Sequence, residues 1–264
     1  MKVVLFCGGL GMRLRNYSEQ IPKPMVPIGY RPILWHLMKY YAHFGHKDFI
    51  LCLGYRADVI KNYFLHYDET VSNDFVLSAG GKQVDLLNSD IADWRITFVD
   101  TGMTSNIAGR LLAVREHLRG QEHFLVNYAD GLSDLALDGY LDDFLKSQRV
   151  ASFLAVRPTI SFHLADIAPD GTVLAVRDLA QSEVRVNGGF FAFRQDVFDY
   201  IRPGEELINE PFARMIEKRQ LFARRHDGFW MAMDTFKDKQ VLDDLYFQGK
   251  APWEVWKRAP VPSR

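Results

Sequence analysis

Three glycines at the end of the first apolar run are the first residues in this sequence that suggest chemistry. Residues 3–7 are apolar, and Gly8, Gly9 and Gly11 follow them directly. Successive glycines let the backbone fold closely around a ligand and aim several amide N–H groups at one point, which suits a phosphate. Arg13 comes two residues later, and a guanidinium binds phosphate oxygens in a fork. The motif is neither a Walker A loop nor the dinucleotide fingerprint, and alone it is equally consistent with a glycine turn beside a solvated arginine.

A lysine between two prolines adds a second cation to this region. Lys23 is flanked by Pro22 and Pro24, whose restricted backbone angles leave the lysine little freedom to lose on binding. A lone Pro-Lys-Pro is typical of a rigid surface loop. Because the glycine loop lies shortly upstream, we favour a phosphate-binding role for Lys23.

Two aspartates end apolar runs that are far apart in the sequence. Asp130 follows residues 124–128, and Asp234 follows residues 229–233. In open α/β sheets, ligands lie outside the carboxyl ends of the strands, which is where Asp130 should point. A nucleotide-bound magnesium ion usually takes one or two protein carboxylates, so this pair would suffice if the fold brought the two together. Each aspartate has an alternative role as the N-cap of a following helix.

The remaining pattern predicts the elements that must position these residues. Apolar runs alternate with stretches of helical period, which indicates an α/β fold with a mostly parallel sheet that becomes mixed towards the C-terminus. Residues 68–89 break the pattern and predict an excursion from the sheet. The predicted strands are residues 3–7, 49–53, 95–99, 124–128, 151–156, 172–176, 189–193 and 221–225. The predicted helices are one that begins at Pro32 and ends at Gly45, and residues 59–64, 107–118, 137–145, 210–218 and 237–247.

We expect one domain over residues 1–264, and the composition excludes several classes for it. Within that domain, residues 1–150 form a nucleotide-binding half and residues 151–264 an acceptor-binding half. The 264 residues include 32 Lys and Arg against 33 Asp and Glu, a formal charge of −1, so no basic field is available for a nucleic acid. Without an apolar run of about eighteen residues or a leader cleavage site, we expect a soluble, cytoplasmic protein that uses no membrane.

The usual nucleophiles and zinc ligands show no supporting pattern. His36 and His43 lie outside any zinc-binding spacing, and the 2 cysteines, Cys7 and Cys52, have no base motif nearby. We therefore predict neither a zinc site nor a nucleophilic cysteine.

Taken in order along the chain, the motifs resemble the sugar-phosphate nucleotidylyltransferase family. The likeness spans nearly the whole chain, and within the family it is strongest to members that join CTP to glucose 1-phosphate. The segments that carry it are residues 8–14 (GGLGMRL), 23–25 (KPM), 32–36 (PILWH), 99–102 (VDTG), 187–190 (NGGF), 226–230 (HDGFW), 233–235 (MDT) and 249–253 (GKAPW).

The resemblance implies a fold, a reaction and a set of binding residues. The fold is a Rossmann-like, three-layer arrangement of a sheet between helices, and the reaction joins a nucleoside triphosphate, CTP above others, to a sugar 1-phosphate with release of pyrophosphate. Mg²⁺ is implied on Asp130 and Asp234, and a homo-oligomer is implied, with residues 68–89 and the end around Trp253 as contact regions. The nucleotide-binding residues it implies are Gly8, Gly9, Gly11, Met12, Arg13, Lys23 and Arg110, with Arg13 and Lys23 also catalytic, and the sugar-binding residues are Tyr128 and Asn187.

The acceptor side departs from the family pattern. Members usually carry Glu-Lys-Pro shortly before Asn-Gly-Gly, but residues 176–185 contain no lysine. Arg177 and Arg185 are the candidates to replace its charge on the acceptor phosphate. Two alternatives therefore stay open: transfer to a different sugar phosphate or to a non-sugar phosphate or phosphonate, and a protein that holds nucleotide without turnover.

Overall fold

The computed structural model describes residues 1–9, 21–159, 162–179 and 182–258, and a central sheet runs through these ranges. The strands are β1 (Lys2–Phe6), β2 (Pro27–Ile28), β3 (Arg31–Pro32), β4 (Asp48–Leu53), β5 (Phe75–Ser78), β6 (Gln83–Leu86), β7 (Arg95–Asp100), β8 (His123–Tyr128), β9 (Gly131–Ser133), β10 (Ala151–Val156), β11 (His163–Ile167), β12 (Val173–Asp178), β13 (Val186–Asn187), β14 (Phe191–Arg194), β15 (Leu221–His226) and β16 (Trp230–Ala232). The α-helices are α1 (Ile33–His43), α2 (Ala57–Leu65), α3 (Ile107–Ala113), α4 (Leu137–Ser147), α5 (Glu210–Glu217) and α6 (Phe236–Phe247).

The central sheet is mixed and draws strands from both halves of the chain. Its order is β13-β10-β14-β8-β1-β4-β7, with β15 also paired to β10. The pairs β8–β1, β1–β4, β4–β7 and β10–β15 are parallel, whereas β14 joins β8 and β10 in antiparallel fashion. The predicted α/β architecture, parallel first and mixed later, is confirmed.

The alternation of side chains along the strands produces three layers. On β1, Val3 and Leu5 enter a core shared with α1 and α4, whereas Val4 and Phe6 enter a second core shared with α3 and α5. Successive residues of a strand point to opposite faces, so a strand that is apolar at every position must be covered on both sides. The buried run predicted from the sequence therefore becomes a central strand.

Several local predictions need correction. The predicted helix over residues 107–118 ends early, because α3 is followed at Val114 by a separate 3₁₀ helix, Arg115–Leu118. The excursion over residues 68–89 contains the antiparallel hairpin of β5 and β6. Asp130 does not cap a helix, since β9 follows it, and the N-cap of α6 is Thr235, one residue after Asp234.

The C-terminal segment packs back onto the first helix. Trp253 is fully buried, and its Nε1–H donates to Nδ1 of His36 on α1 over 3.3 Å. The Trp253 side chain is thus covered by its own chain, and the expectation that the end around it contacts a second copy stays a prediction. Among the described residues, no helix is long and apolar enough to cross a membrane.

Candidate functional site

The carboxyl ends of β1 and β8 open onto one cavity. The two strands are parallel neighbours, so Gly8 and Gly9 after β1 lie beside Asp130 after β8. The cavity has a volume of about 240 Å³. Its walls are formed by Phe6, Gly8, Gly9, Lys23, Pro24, Ser105, Asn106, Ile107, Arg110, Tyr128, Ala129, Asp130 and Glu206. The first two glycines of the predicted loop, one of the two predicted metal ligands, Asp130, and Lys23 therefore line one cavity.

Arg110 lines this cavity, but its guanidinium group forms hydrogen bonds with other groups of the protein. The side chain is only 3% exposed. Nη1–H groups donate to the Leu53 carbonyl at 3.1 Å and the Thr101 hydroxyl at 2.7 Å, and Nη2–H donates to the Gly8 carbonyl at 2.9 Å. In the structure, Arg110 braces the strand ends that carry the glycines, and its predicted contact with nucleotide stays a prediction.

Glycine is required at two positions for this bracing. A Cβ on Gly8 would lie 2.0 Å from Nη1 of Arg110, so any side chain there would displace the guanidinium. A Cβ on Gly54, after β4, would lie 2.9 Å from the Gly8 carbonyl oxygen. Close backbone approach therefore fixes where the loop after β1 starts.

The structure brings Asp130 and Asp234 together around one ammonium group. Nζ of Lys23 donates to Oδ2 of Asp130 at 2.5 Å and to Oδ1 of Asp234 at 2.8 Å. Lys23 is 15% exposed. Burial alone lowers the pKa of Lys23, but the charges and hydrogen bonds of Asp130 and Asp234 outweigh it and raise the pKa above its usual value. The site therefore holds a permanent cation between two carboxylates.

A short antiparallel ladder delivers the two aspartates to this point. β9 pairs with β16 in the register Gly131 with Ala232 and Ser133 with Trp230. The ladder continues past Gly131, where the Met233 N–H donates to the Asp130 carbonyl at 2.9 Å. Asp130 just precedes one strand and Asp234 soon follows the other, so the register sets the separation of their carboxylates.

Lys23 begins a turn that the flanking prolines favour. It starts the 3₁₀ helix Lys23–Met25, preceded by extended backbone at Pro22 and with Pro24 at an early helical position. Proline fits both places because its φ is fixed and its missing N–H is not needed there. Local sequence thus aims Lys23, whereas its partners come from distant strands.

Tyr128 and Asn187, the predicted sugar-binding pair, are in contact. The Asn187 side chain is close enough to act on the pKa of the Tyr128 phenol, and Tyr128 lies two residues before Asp130. Burial, followed by the nearby charges of Glu206 and Asp130, raises the pKa of Tyr128 to about 12. The phenol therefore stays protonated at neutral pH and retains a proton to donate.

The glycines after Asn187 have a physical reason. Gly189 has a φ of +74°, and a Cβ there would lie 2.4 Å from Oδ1 of Asn127. That oxygen accepts from the Phe190 N–H at 2.9 Å, which ties the segment to β8. A Cβ on Gly188 would lie 2.9 Å from the side chain of Val156. The motif is a tight crossing of chain segments that holds Asn187 near Tyr128.

The two candidate acceptor arginines are placed differently. Arg177 is on β12 and forms an ion pair with Asp166 on β11, in a separate two-stranded sheet. Arg185 lies two residues before Asn187 and donates to Oδ1 of Asp227 at 2.7 Å, and Arg157 donates to the same oxygen at 3.0 Å. Arg185 is thus two residues from Asn187 in the sequence, whereas Arg177 belongs to the hairpin of β11 and β12.

Three predicted residues lie outside the described part of the chain. Gly11, Met12 and Arg13 belong to residues 10–20, so their nucleotide-binding and catalytic roles stay predictions. Both cysteines are described and buried. Burial raises the pKa of Cys7 well above its usual value and that of Cys52 to about 12, so each side chain is a neutral thiol.

Sequence reasoning missed residues whose role depends on three-dimensional packing. Asn106 lines the cavity and caps α3, accepting from the Gly109 N–H at 2.8 Å. An Asn before a helical run is a readable capping signal. Glu206 also lines the cavity, but an acidic residue in a loop carries no such signal.

The chain is similar over most of its length to a known family and to proteins within it. The family model described as "Nucleotidyl transferase" matches residues 2–238. A glucose-1-phosphate cytidylyltransferase from Salmonella typhimurium is 38% identical over 259 residues, covering 97% of this chain and 100% of that protein. A probable glucose-1-phosphate cytidylyltransferase from Bacillus subtilis is 35% identical over 258 residues, with the same coverage of 97% and 100%.

Solved structures show the same fold at low sequence identity. A UDP-glucose pyrophosphorylase complexed with UDP-glucose matches with a TM-score of 0.69 at 15% identity, covering 94% of this chain and 98% of that one. A protein described as a putative glucose-1-phosphate thymidylyltransferase from Bacillus anthracis matches with a TM-score of 0.67 at 17% identity, covering 93% and 94%.

Replacing Arg110 by methionine should destabilise the fold. The Gly8 carbonyl and the Thr101 hydroxyl would lose the buried donor that the guanidinium supplies, and we expect a loss of roughly 3 kcal/mol in the free energy of unfolding. Urea unfolding followed by circular dichroism measures it. Arg119→Met is the control, because Arg119 is 79% exposed and forms a surface salt bridge with nearby Glu116. Equal stability of both variants would contradict the bracing role.

Proposed function

The chain belongs to the nucleotidyl transferase family, and we propose that it condenses CTP with a sugar 1-phosphate, glucose 1-phosphate or a close analogue. The products are a nucleoside diphosphate sugar and pyrophosphate. Transfer of a nucleotidyl group from a triphosphate to a sugar 1-phosphate follows from the family and from full-length relatives at 35% to 38% identity. The choice of cytidine is supported by what those relatives are called.

One observation carries the proposal: Lys23, which lines the cavity together with Gly8 and Gly9, joins Asp130 to Asp234. Two carboxylates converging on a cation, beside backbone that can approach a phosphate, are what a metal-assisted attack at phosphorus requires.

The donor set fits Mg²⁺. Asp130 and Asp234 offer carboxylate oxygens, the ligands that this ion prefers, and the structure already holds a positive charge between them. Among the described residues, no group of three or more His, Cys, Asp or Glu side chains is arranged as a metal site. We propose that these two aspartates hold Mg²⁺ and that phosphate and water oxygens complete its shell. When bound, the ion neutralises negative charge on the triphosphate.

The protein's own part in the reaction is alignment and charge. A phosphate oxygen of the sugar 1-phosphate attacks the α-phosphorus of CTP in line with the departing pyrophosphate. That oxygen is already anionic, so no general base is required, and the neutral thiols of Cys7 and Cys52 have no role in it. Lys23 stabilises charge that builds up on the phosphates, and Arg13 serves with it from the glycine loop.

On the acceptor side, Tyr128 and Asn187 would bind sugar hydroxyls. Tyr128 can donate its proton, and Asn187 sits on the strand next to β10. For the acceptor phosphate we favour Arg185 over Arg177, because Arg185 lies two residues from Asn187 and already binds the carboxylate of Asp227. A guanidinium that holds a carboxylate is also suited to a phosphate.

A panel of acceptors tests the substrate. We expect pyrophosphate release with CTP and glucose 1-phosphate, and slower release when UTP or dTTP replaces CTP. The missing lysine favours a second candidate, transfer from CTP to another phosphorylated or phosphonate acceptor, which rapid turnover with glucose 1-phosphate would eliminate. Tight CTP binding by calorimetry, without pyrophosphate release from any acceptor, would instead indicate a nucleotide-binding protein without turnover.

Asp130→Asn tests the metal role. The variant keeps the shape of the side chain but removes the charge, and losing one such electrostatic contact raises the barrier by roughly 3 kcal/mol, about a hundredfold in rate. Steady-state pyrophosphate release over a Mg²⁺ titration measures it. Asp142→Asn, on the exposed face of α4, should leave the rate unchanged. Full activity of Asp130→Asn would rule out this aspartate as a metal ligand.

We also propose a homo-oligomer that uses the hairpin of β5 and β6. The cross-strand pairs Phe75 with Leu86 and Leu77 with Val84 place four apolar side chains on one face, each at least 41% exposed. An isolated two-stranded hairpin is only marginally stable, so such a face needs a cover. A second copy can supply it, because a net charge of −1 gives little repulsion between copies.

The double variant Leu77→Lys, Val84→Lys should break this assembly. Two charges on the apolar face would have to be buried in the interface, at a cost of several kcal/mol. Light scattering should then give the monomer mass of 30.4 kDa, with a larger mass for the wild type. Val76→Lys is the control, because Val76 pairs with Asp85 on the opposite face. A monomeric wild type would exclude the proposal.

A further inference from the structure

The ladder of β9 and β16 carries both proposed metal ligands, Asp130 and Asp234, at one end and a third carboxylate at the other. Past Ser133 and Trp230, the ladder continues with the Asp134 N–H, which donates to the Phe229 carbonyl at 3.1 Å. Asp130 thus directly precedes β9, and Asp134 directly follows it. No part of the proposed reaction uses Asp134.

The ladder needs something to fix its register. Each strand has only three residues, and the pair forms a two-stranded sheet separate from the central one. A two-stranded pair has little stability of its own, and a slip by one residue turns every side chain to the other face. Such a slip would move Asp234 away from Asp130.

Asp134 holds the two strands together at the far end of the ladder, and its contacts with Phe229 and His226 are called the pin below. Its Oδ1 accepts from the Phe229 N–H at 2.9 Å and lies 3.1 Å from Nε2 of His226. That nitrogen also lies 3.2 Å from the Phe229 carbonyl oxygen. The Ser133 hydroxyl, 3.3 Å from the same nitrogen, gives its own proton to the Phe229 carbonyl. Because the groups that face Nε2 are acceptors, Nε2 carries the proton.

The contacts of Asp134 connect the two ends of the turn that links β15 to β16. His226 ends β15, and Phe229 directly precedes β16. Between them, a Cβ on Gly228 would lie 2.5 Å from Oδ1 of Asp134 and 2.7 Å from Cε1 of His226. The turn passes so close to the carboxylate that only glycine fits, so the central sheet, the turn and the ladder are joined at one atom.

We propose that Asp134 is a positioning residue, which fixes the register of β16 against β9 through Phe229 and His226 and thereby sets the separation of Asp130 and Asp234. This inference rests on the proposed metal role of those two aspartates. It also reaches the acceptor side, because Nε1–H of Trp230 on β16 donates to the Gly188 carbonyl at 2.8 Å.

Two variants of Asp134 test whether its hydrogen-bond acceptor or its negative charge holds the ladder in register. Asp134→Ala removes the acceptor of the Phe229 N–H, whereas Asp134→Asn keeps an oxygen in the same place. Hydrogen–deuterium exchange of the free protein should show faster exchange over residues 229–233 in the alanine variant and protection close to wild type in the asparagine variant. Asp142→Ala, on α4, is the matched control and should exchange as wild type.

Mn²⁺ binding in the presence of CTP, with no acceptor, gives a second readout that needs no turnover. Changes in residues that orient metal ligands weaken metal binding by roughly tenfold or more. The electron paramagnetic resonance signal of free Mn²⁺ should therefore report about tenfold weaker binding in Asp134→Ala and a much smaller change in Asp134→Asn.

The outcomes distinguish this inference from the proposed function. If Asp134→Ala matches wild type in exchange and in Mn²⁺ binding, or if the two variants lose both equally, the pin is overturned. A wild type that binds no Mn²⁺ beside CTP overturns the proposed metal role, while exchange still tests the pin. Should Asp134→Ala fail to fold, Gly228→Ala disturbs the same oxygen atom, and faster exchange over residues 229–233 is again the expected result and wild-type exchange the overturning one.

Discussion

Two carboxylates held at one point repel each other, and the architecture around the cavity is organised to hold Asp130 and Asp234 there. Lys23 relieves the repulsion by donating to both. Electrostatics alone would let the charged groups separate into solvent, so the backbone must oppose it. The ladder of β9 and β16 does so, because hydrogen bonds between strands fix a separation that charge would increase. The polarity of the site is therefore a property of the strand register.

A few cations fixed at the cavity explain how a nearly neutral protein can bind a triphosphate. The whole chain carries a net charge of −1, yet Lys23 remains charged in a half-enclosed place. Arg110 contributes its charge indirectly, since its donors are taken by Leu53, Thr101 and Gly8. It holds the carbonyl side of Gly8 in place. Affinity for phosphate thus depends on where a few cations are fixed, and not on the overall field.

Much of the fold could be predicted because its signals are local. The apolar run before Gly8, the helix after Pro32 and the glycine stop at Gly45 each follow from neighbouring residues, and the structure has them. The site was only partly predictable. Asp130 and Asp234 each ended an apolar run, but their meeting depends on a pairing between distant strands. The role of Arg110 depends on which carbonyls surround it. The hairpin of β5 and β6 gives a weak signal because each strand has only four residues and Val76 makes β5 apolar on both faces.

The unequal retention of motifs on the two sides of the cavity has a physical meaning. The proposed nucleotide and metal side is built from backbone crossings at Gly8 and Gly54, where any side chain would collide with a neighbour. Such positions in this chain tolerate little change, because the added atoms would meet backbone or a buried guanidinium. The acceptor side is built from side chains on strand ends, where Arg185 and Arg157 share the exposed carboxylate of Asp227. Side chains on exposed strand ends can change without disturbing the sheet, so this side is where a new acceptor would be accommodated first.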